Sequence, residues 1–245
     1  MKPGVADIAF LDPPFNLGKD YGPAGELETT DELEYEEYFH KLLQEVVRVL
    51  AEGGALFLYH LPYWASRFCY MLQSELIFRH WIAISMKASF ARGEYLYPAH
   101  YALLYFTKGK PKKFSRPKIS PRRCHNCLQT IKDYGGYTGI IEEKGLNLSD
   151  VWDDLSPVRH KSIRLRKANQ LPMGITARVT EIAGFQGGVL VDPFMGTGTA
   201  LISAFKAGMQ FVGNDLDPAS LPIVRKRLAA EVHEHELRNL RDALG

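Results

Sequence analysis

The sequence of 245 residues holds only three cysteines, Cys69, Cys124 and Cys127. An odd number cannot close an even set of disulfides, so a reducing cytoplasm is the expected compartment. No apolar run approaches the roughly 18 residues that a membrane helix requires, and Met1-Lys2-Pro3-Gly4 leads into no secretory apolar segment. A membrane is therefore not an expected partner. The chain also lacks internal repeats and low-complexity tracts, and its composition is neither disordered nor collagenous. Even net charge is nearly absent, at +2. What is present is 46% hydrophobic residues, in a chain long enough to bury about 70% of its unfolded surface. Such a chain needs no staples, and its length fits one domain with an insertion or two small domains.

The small net charge hides a strong segregation. Between Lys108 and Arg123 stand eight basic residues and no acid: Lys108, Lys110, Lys112, Lys113, Arg116, Lys118, Arg122 and Arg123. A second run without acids holds Arg159, Lys161, Arg164, Arg166 and Lys167, while Glu26 to Glu37 carries seven carboxylates. Basic runs neutralise phosphates and release counterions, which is the sequence-independent part of nucleic-acid binding. One such run reads equally well as a solvated loop. Two runs bracketing one irregular segment favour a polyanion site.

Along the chain, Val5 to Leu11 predicts a buried strand that Asp12-Pro13-Pro14-Phe15 must end, because proline cannot continue the ladder. Apolar residues at helical spacing (Tyr38, Leu42, Leu43, Val46, Val47, Leu50) predict a helix from Glu34 to Leu50, stopped by Gly53-Gly54. Ala55 to Tyr59 predicts a strand, Pro62 to Ser74 a helix, and Trp81 to Ser85 and Tyr101 to Thr107 two more strands. From Gly109 to about Arg166 no regular pattern holds, and so long a stretch implies a functional insertion or a small subdomain. Regular alternation then returns: helix Ala168 to Ala183, strand Gly188 to Val191, helix Thr199 to Ala207, strand Gln210 to Asn214, helix from Pro218 to about Leu240. The expected fold is α/β, a mainly parallel sheet with helices on both faces. Ligands in such sheets lie beyond the carboxyl ends of the strands.

Two loops fall at such ends. In Asp192-Pro193-Phe194-Met195-Gly196-Thr197-Gly198-Thr199, a strand passes through two glycines into a helix, so a ligand can approach the backbone closely. No Gly-Lys-Ser/Thr follows, and Leu201 stands where a dinucleotide motif has its third glycine. Asp215, after the next strand, is placed to accept hydrogen bonds from ribose hydroxyls. A nucleoside without a pyrophosphate suits this loop, and S-adenosylmethionine fits that description. A tight packing turn is the plainer alternative. In the other loop, Asp12 and the Pro13 carbonyl can accept both N–H groups of an exocyclic amine and favour its pyramidal, nucleophilic form. Phe15 can stack on a base taken out of the helix. Alone, the tetrapeptide reads equally well as a proline turn with a capping Asp.

Together and in this order, the loops resemble those of the amino-methylating DNA methyltransferases, in the permuted beta-type order with the catalytic motif first and the cofactor motif last. Asp12-Pro13-Pro14-Phe15, continuing Asn16-Leu17-Gly18, is similar to the catalytic motif, and Arg48-Val49-Leu50 with Gly53-Gly54 to the junction that follows it. Lys167 to Pro172 resembles the segment that holds the methionine end of the cofactor. The resemblance implies a Rossmann-like S-adenosylmethionine-dependent methyltransferase fold, circularly permuted, with a target-recognition insertion. Its parts would be residues 1–108 as the catalytic half, 109–166 as the insertion and 167–245 as the cofactor half.

The same resemblance implies S-adenosylmethionine held by Asn169, Asp192, Pro193, Phe194, Gly196, Thr197, Gly198, Thr199, Asp215 and Leu216. It implies double-stranded DNA held by Lys110, Lys112, Lys113, Arg116, Arg122, Arg123, Arg164 and Arg166. The expected activity is site-specific methylation of adenine N6, since Asp precedes Pro-Pro, with cytosine N4 as the alternative. A cognate restriction endonuclease and a homodimer are partners the family admits. Relatives also carry a Gly-Asp-containing strand ahead of the catalytic strand, which here stands almost first. Part of the adenine pocket is then expected to be missing, completed by a partner or supplied by the C-terminal helix, and a DNA-binding relative without catalysis is a further alternative.

Cys124-His125-Asn126-Cys127 has zinc-ligand types at a familiar spacing but no second pair, so a packing or DNA-contacting turn is expected there rather than a metal. Cys69 is expected in the core, His233 and His235 on a solvated helix face, and Trp152 as an anchor of the insertion.

Overall fold

The computed structural model describes residues 1–17, 31–85, 94, 96, 99–121, 123, 124, 126, 127, 129, 134–155 and 170–244, with backbone alone at 134 and 235–244. Its centre is a strand apolar in all but one residue, β1 (Ala6–Leu11), in which every residue but Asp7 is buried. Burial on both sides is what such a run requires. Helix α1 (Glu32–Val49) follows, capped by the Asp31 carboxylate, which accepts from the Leu33 and Glu34 amides. Strand β2 (Leu50–His60) then lies parallel to β1. Helix α2 (Pro62–Leu72) leads to β3 (Ile77–Ser85) and β4 (His100–Thr107), the latter antiparallel to both β2 and β3.

Helix α1 stops at Val49, before the glycine pair expected to end it, and Gly53-Gly54 belong to β2. Register jumps from Ala6 opposite Leu50 to Ile8 opposite Ala55, so the glycines lie in a bulge. Gly53 has φ +74, and a Cβ there would sit 2.8 Å from the Lys110 carbonyl oxygen. The close approach of the 108–112 backbone, not a helix cap, requires glycine.

Short elements occupy the segment in which no pattern is expected. β5 (Lys118–Ile119) pairs with β6 (Leu146–Asn147), and a 3-10 turn (Tyr134–Gly136) precedes α3 (Thr138–Lys144). β7 (Val151–Trp152) then joins the central sheet parallel to β3. Trp152 is fully buried, and its indole N–H donates to the Ser149 carbonyl at 2.8 Å. Burial of a ring that size is worth about 4–6 kcal/mol of transfer free energy. It anchors β7 to the sheet.

The last third alternates regularly: α4 (Met173–Ala183), β8 (Val189–Asp192), α5 (Thr199–Lys206), β9 (Gln210–Gly213) and α6 (Ser220–Leu244). Helix α4 begins at Met173 rather than near Ala168, because Pro172 is extended at its N-cap and disfavours helix in the residue before it. The sheet order is β7-β3-β4-β2-β1-β8-β9, with β4 alone reversed. Helices α1 and α2 cover one face over Ala9, Leu11, Leu56 and Leu58. Helices α4 and α5 cover the other over Ile8, Phe10, Phe57 and Leu190. Among the described residues, no helix is long and apolar enough to cross a membrane.

Candidate active site

Strands β1 and β8 are parallel neighbours, so the loops that leave their carboxyl ends emerge side by side. Asp12, Pro13, Pro14 and Phe15 from one loop meet Asp192, Pro193, Phe194, Gly196, Thr197 and Thr199 from the other around a single cavity of about 250 Å³. Asp215 and Leu216, beyond the end of β9, line the same cavity. Topology alone brings together residues 180 positions apart in the chain.

The glycine loop is held by its neighbours. Gly196 (φ +52) and Gly198 (φ +79) take left-handed conformations, and a Cβ on Gly198 would lie 3.1 Å from Val224 of α6. Gly198 thus serves helix packing and does not itself line the cavity. The Gly196 amide donates to one oxygen of Asp215 at 2.7 Å, and the Asp217 amide to the other at 2.9 Å. From α6, the Arg227 guanidinium donates to the Thr197 carbonyl at 2.6 Å and reaches the Thr197 and Thr199 hydroxyls at 3.1 and 3.3 Å. The C-terminal helix supports the loop from behind.

Charge in the cavity is of one sign. Asp192 is buried and accepts from the Phe194 amide at 2.9 Å. Its carboxyl is held well above the ordinary range, first by burial and then by the charges of Asp12 and Asp215. Burial likewise pushes up the Tyr59 and Tyr101 hydroxyls, and the nearby Asp12 charge adds to both shifts. No Lys or Arg is among the residues lining the cavity. Charged Asp12 and Asp215 beside the buried Asp192 carboxyl, with no cation lining the hollow, suit a cationic ligand with an apolar body. A sulfonium nucleoside has that chemistry.

The catalytic-loop side of the cavity is backed by aromatic rings. Phe15 is nearly buried, with ring centroids 5.8, 5.0 and 5.5 Å from Tyr59, His60 and Tyr101. Tyr38 and Leu42 of α1 complete this side. Both belong to the helical spacing that predicts α1, and Tyr38 is about one-third exposed, on the helix edge that the cavity borders. Tyr35, His60 and Arg227 carry no functional signal in the sequence, and Met195 and Asn214 appear there only as parts of a loop and a strand end. Tyr35 was legible as the start of the i, i+4 series Tyr35-Phe39-Leu43, and His60 as a polar residue closing an apolar strand.

The basic run divides on folding. Lys108 donates to the Val47 and Leu50 carbonyls at 2.9 and 3.2 Å, which satisfies the carboxyl end of α1. Lys112 pairs with Asp7 at 2.6 Å, at the amino end of β1 and roughly 16 Å along the strand from Asp12. Lys110 and Lys113 flank it, exposed, on that edge, so the structure does not bring these three to the cavity. Arg116 lies over the Phe114 ring, and Arg123 stands 3.9 Å from Glu142. Arg122, Arg164, Arg166 and Asn169 lie outside the described residues, as do Gly18, His125 and His160.

Cys69 is half-buried against the core of α2, and His233 is exposed. Cys124 is half-buried and Cys127 exposed. Hydrogen bonds from the Cys127 and Asn126 backbone draw the Cys124 thiol down. Among the described residues, no three potential metal ligands converge.

This fold and site define a class. Two solved structures share the fold: the M1.HpyAVI–SAM complex (TM-score 0.60, 14% identity, 92% of this chain and 89% of that one) and the PvuII DNA methyltransferase, described as cytosine-N4-specific (TM-score 0.64, 13% identity, 91% and 79%). It is the α/β fold of S-adenosylmethionine-dependent DNA methyltransferases. The N6/N4 DNA methylase family model matches residues 6–226, and the chain belongs to that family. It is 40% identical to the Type II methyltransferase M.BamHI of Bacillus amyloliquefaciens over 223 residues, 91% of this chain and 52% of the relative. It is 28% identical to M.HpaI of Haemophilus parainfluenzae over 232 residues, 92% and 68%. The chain thus spans about half the length of M.BamHI.

Proposed function

We propose that this protein is a site-specific DNA methyltransferase that moves a methyl group from S-adenosylmethionine to the exocyclic amine of a flipped base, adenine N6 in the first instance. One observation carries the reading: the Asp12-Pro13-Pro14-Phe15 loop and the glycine loop with Asp215 line one anionic cavity together. Bound there, S-adenosylmethionine supplies an electrophilic methyl on a sulfonium. Asp215 holds ribose hydroxyls, Gly196 lets the ligand approach the backbone, and the buried carboxyl of Asp192 favours positive charge. Asp12 and the Pro13 carbonyl accept the two amine hydrogens, which turns the nitrogen lone pair out of conjugation and toward the methyl group. Phe15 meets the face of the extruded base. Asn169, on the segment that the family resemblance assigns to the methionine end, is the further cofactor residue of this reading.

Adenine and cytosine both present an N–H pair to Asp12 and Pro13. Asp rather than Ser in the first position supports adenine, while the cytosine-N4-specific PvuII fold keeps cytosine as the second reading. The division into a catalytic half (1–108), a target-recognition insertion (109–166) and a cofactor half (167–245) belongs to the same proposal, with double-stranded DNA as partner and the cytoplasm as compartment. Relatives named Type II methyltransferases support a cognate restriction endonuclease as well, and a homodimer is compatible with it.

The test is transfer of label from methyl-tritiated S-adenosylmethionine to unmethylated duplex DNA, followed by nucleoside analysis. Label in N6-methyladenine is the expected result. Label in N4-methylcytosine would reassign the base, and cofactor binding without any transfer would leave a DNA-binding relative that has lost catalysis.

A further inference from the structure

We propose that Tyr35 and His60 form a buried relay that positions the catalytic loop by fixing the Pro14 carbonyl. The inference rests on the methyltransferase reading, since it assigns the relay a part in that reaction. Both residues are fully buried, Tyr35 in the first turn of α1 and His60 at the carboxyl end of β2. The His60 Nδ1 accepts from the Leu61 amide at 2.8 Å, so it carries no proton. Burial pushes the His60 pKa down to about 3, which keeps the ring neutral with its proton on Nε2. Nε2 lies 2.8 Å from the Tyr35 hydroxyl oxygen and therefore donates to it. The Tyr35 hydroxyl in turn donates to the Pro14 carbonyl. The chain runs in one direction: His60 N–H to Tyr35 O–H to Pro14 C=O.

Packing alone does not need these polar atoms. Tyr35 stands among Phe39, Trp64 and Phe68, with centroids at 4.8, 4.6 and 6.3 Å, where a phenylalanine would fit as well. In such apolar surroundings the members of a hydrogen-bond chain strengthen one another. The loop explains what it holds. Proline rings fix φ at Pro13 and Pro14, and the second proline restricts ψ of the first. The torsion left free is ψ of Pro14, and the direction of the Pro14 carbonyl sets it. That torsion carries the chain to Phe15, whose ring rests on His60 at 5.0 Å. The relay thus holds both the peptide behind Asp12 and Pro13 and the ring beyond them. Tyr35 and His60 are positioning residues; neither lines the cavity.

The test compares Tyr35→Phe, which deletes one oxygen, with His60→Leu and His60→Gln, the latter keeping an N–H donor. Single-turnover methyl transfer, counted per S-adenosylhomocysteine-binding site, is expected to slow about 10- to 100-fold in Tyr35→Phe and His60→Leu, the scale of a misplacement near 1 Å. His60→Gln is expected to retain most of the rate. Affinity for S-adenosylhomocysteine and KM for DNA should stay within about twofold, which a general loss of folding would not allow. A second readout needs no activity. The sequence has two Pro-Phe bonds, Pro14-Phe15 and Pro193-Phe194. With 13C-carbonyl proline and 15N phenylalanine, the amide–carbonyl spectrum reports them separately. Tyr35→Phe should move the Phe15 signal and leave the Phe194 signal in place. An unmoved Phe15 signal, or an unchanged single-turnover rate, overturns the relay. If Tyr35→Phe does not fold, the two His60 variants decide by the same measurements. If the wild type labels no DNA, the methyltransferase reading fails, and the carbonyl signal still tells whether the relay holds the loop.

Discussion

The hydrogen bond from the Gly196 amide to Asp215, 2.7 Å long, ties the glycine loop after β8 to the tip of β9. Asp215 is thereby oriented before any ligand arrives, and a carboxylate has lone pairs to spare for ribose hydroxyls. Asp215→Ala is expected to weaken S-adenosylhomocysteine binding by about 1.5–3 kcal/mol, roughly 10- to 150-fold. Asp215→Asn, which keeps one oxygen, should fall between. Titration calorimetry measures both, and wild-type affinity in the alanine variant would remove Asp215 from the cofactor wall.

Arg227 acts on the same loop from the other side. Arg227→Met keeps the aliphatic stem and removes the contacts to Thr197 and Thr199. A loss of about 1–2 kcal/mol is expected, a fall in Tm of roughly 2–8 °C for a chain this size. Cofactor affinity should fall with it, by about tenfold, when measured well below Tm. Stability lost with affinity intact would show that the loop does not need its support.

Asp192 makes stability depend on pH. Its folded pKa is raised, chiefly by burial, so the folded chain binds the proton more tightly than the unfolded chain does. Its contribution is most favourable below the ordinary Asp range near 4 and is lost as pH rises through the raised folded value. Asp192→Asn keeps the oxygen that accepts from Phe194 and abolishes the titration. Relative to the wild type, the variant should gain stability as pH rises from about 4, until Asp192 itself has ionised. Parallel Tm–pH curves for the two proteins would contradict the shift.

The basic run predicts two behaviours in one segment. Lys112 is engaged with Asp7, so Lys112→Ala should leave the salt dependence of DNA binding nearly unchanged. Arg116, over the Phe114 ring, stands exposed and is the contrasting case. If it contacts a phosphate, its replacement by Ala should reduce the log–log salt slope by about 0.9. Fluorescence anisotropy over a salt series gives the slopes. A larger slope change for Lys112 than for Arg116 would place DNA on the opposite edge of the sheet.

Much of this was legible in the sequence because the signals are local. A run apolar on both faces (Ile8 to Leu11) ends at two prolines, and a strand ends at two glycines ahead of a helix. Adjacency of those strand ends then follows from α/β topology. Gly53-Gly54 misled because a glycine pair looks the same whether it caps a helix or lets another backbone pass, and the backbone that passes lies more than 50 residues on. The run from Lys108 to Arg123 reads as one block, yet Lys112 is neutralised by an acid 105 residues earlier. Tyr35 and His60 carried a packing signal only. Their hydrogen-bonding role depends on a carbonyl that folding brings to them.

The division of labour across the cavity, Asp12 for the base and Asp215 for the cofactor, is tested by measuring two quantities on the same preparations of Asp12→Ala and Asp215→Ala. These are S-adenosylhomocysteine affinity and the single-turnover rate of DNA methylation at saturating cofactor. Asp12→Ala should bind the ligand within about twofold of the wild type and lose at least a hundredfold in rate, the scale of a lost transition-state contact. Asp215→Ala should show weakened affinity with much of the rate restored once cofactor is saturating. Substantial methylation by Asp12→Ala, or a loss of cofactor affinity in that variant as large as in Asp215→Ala, would contradict the assignment of the two walls.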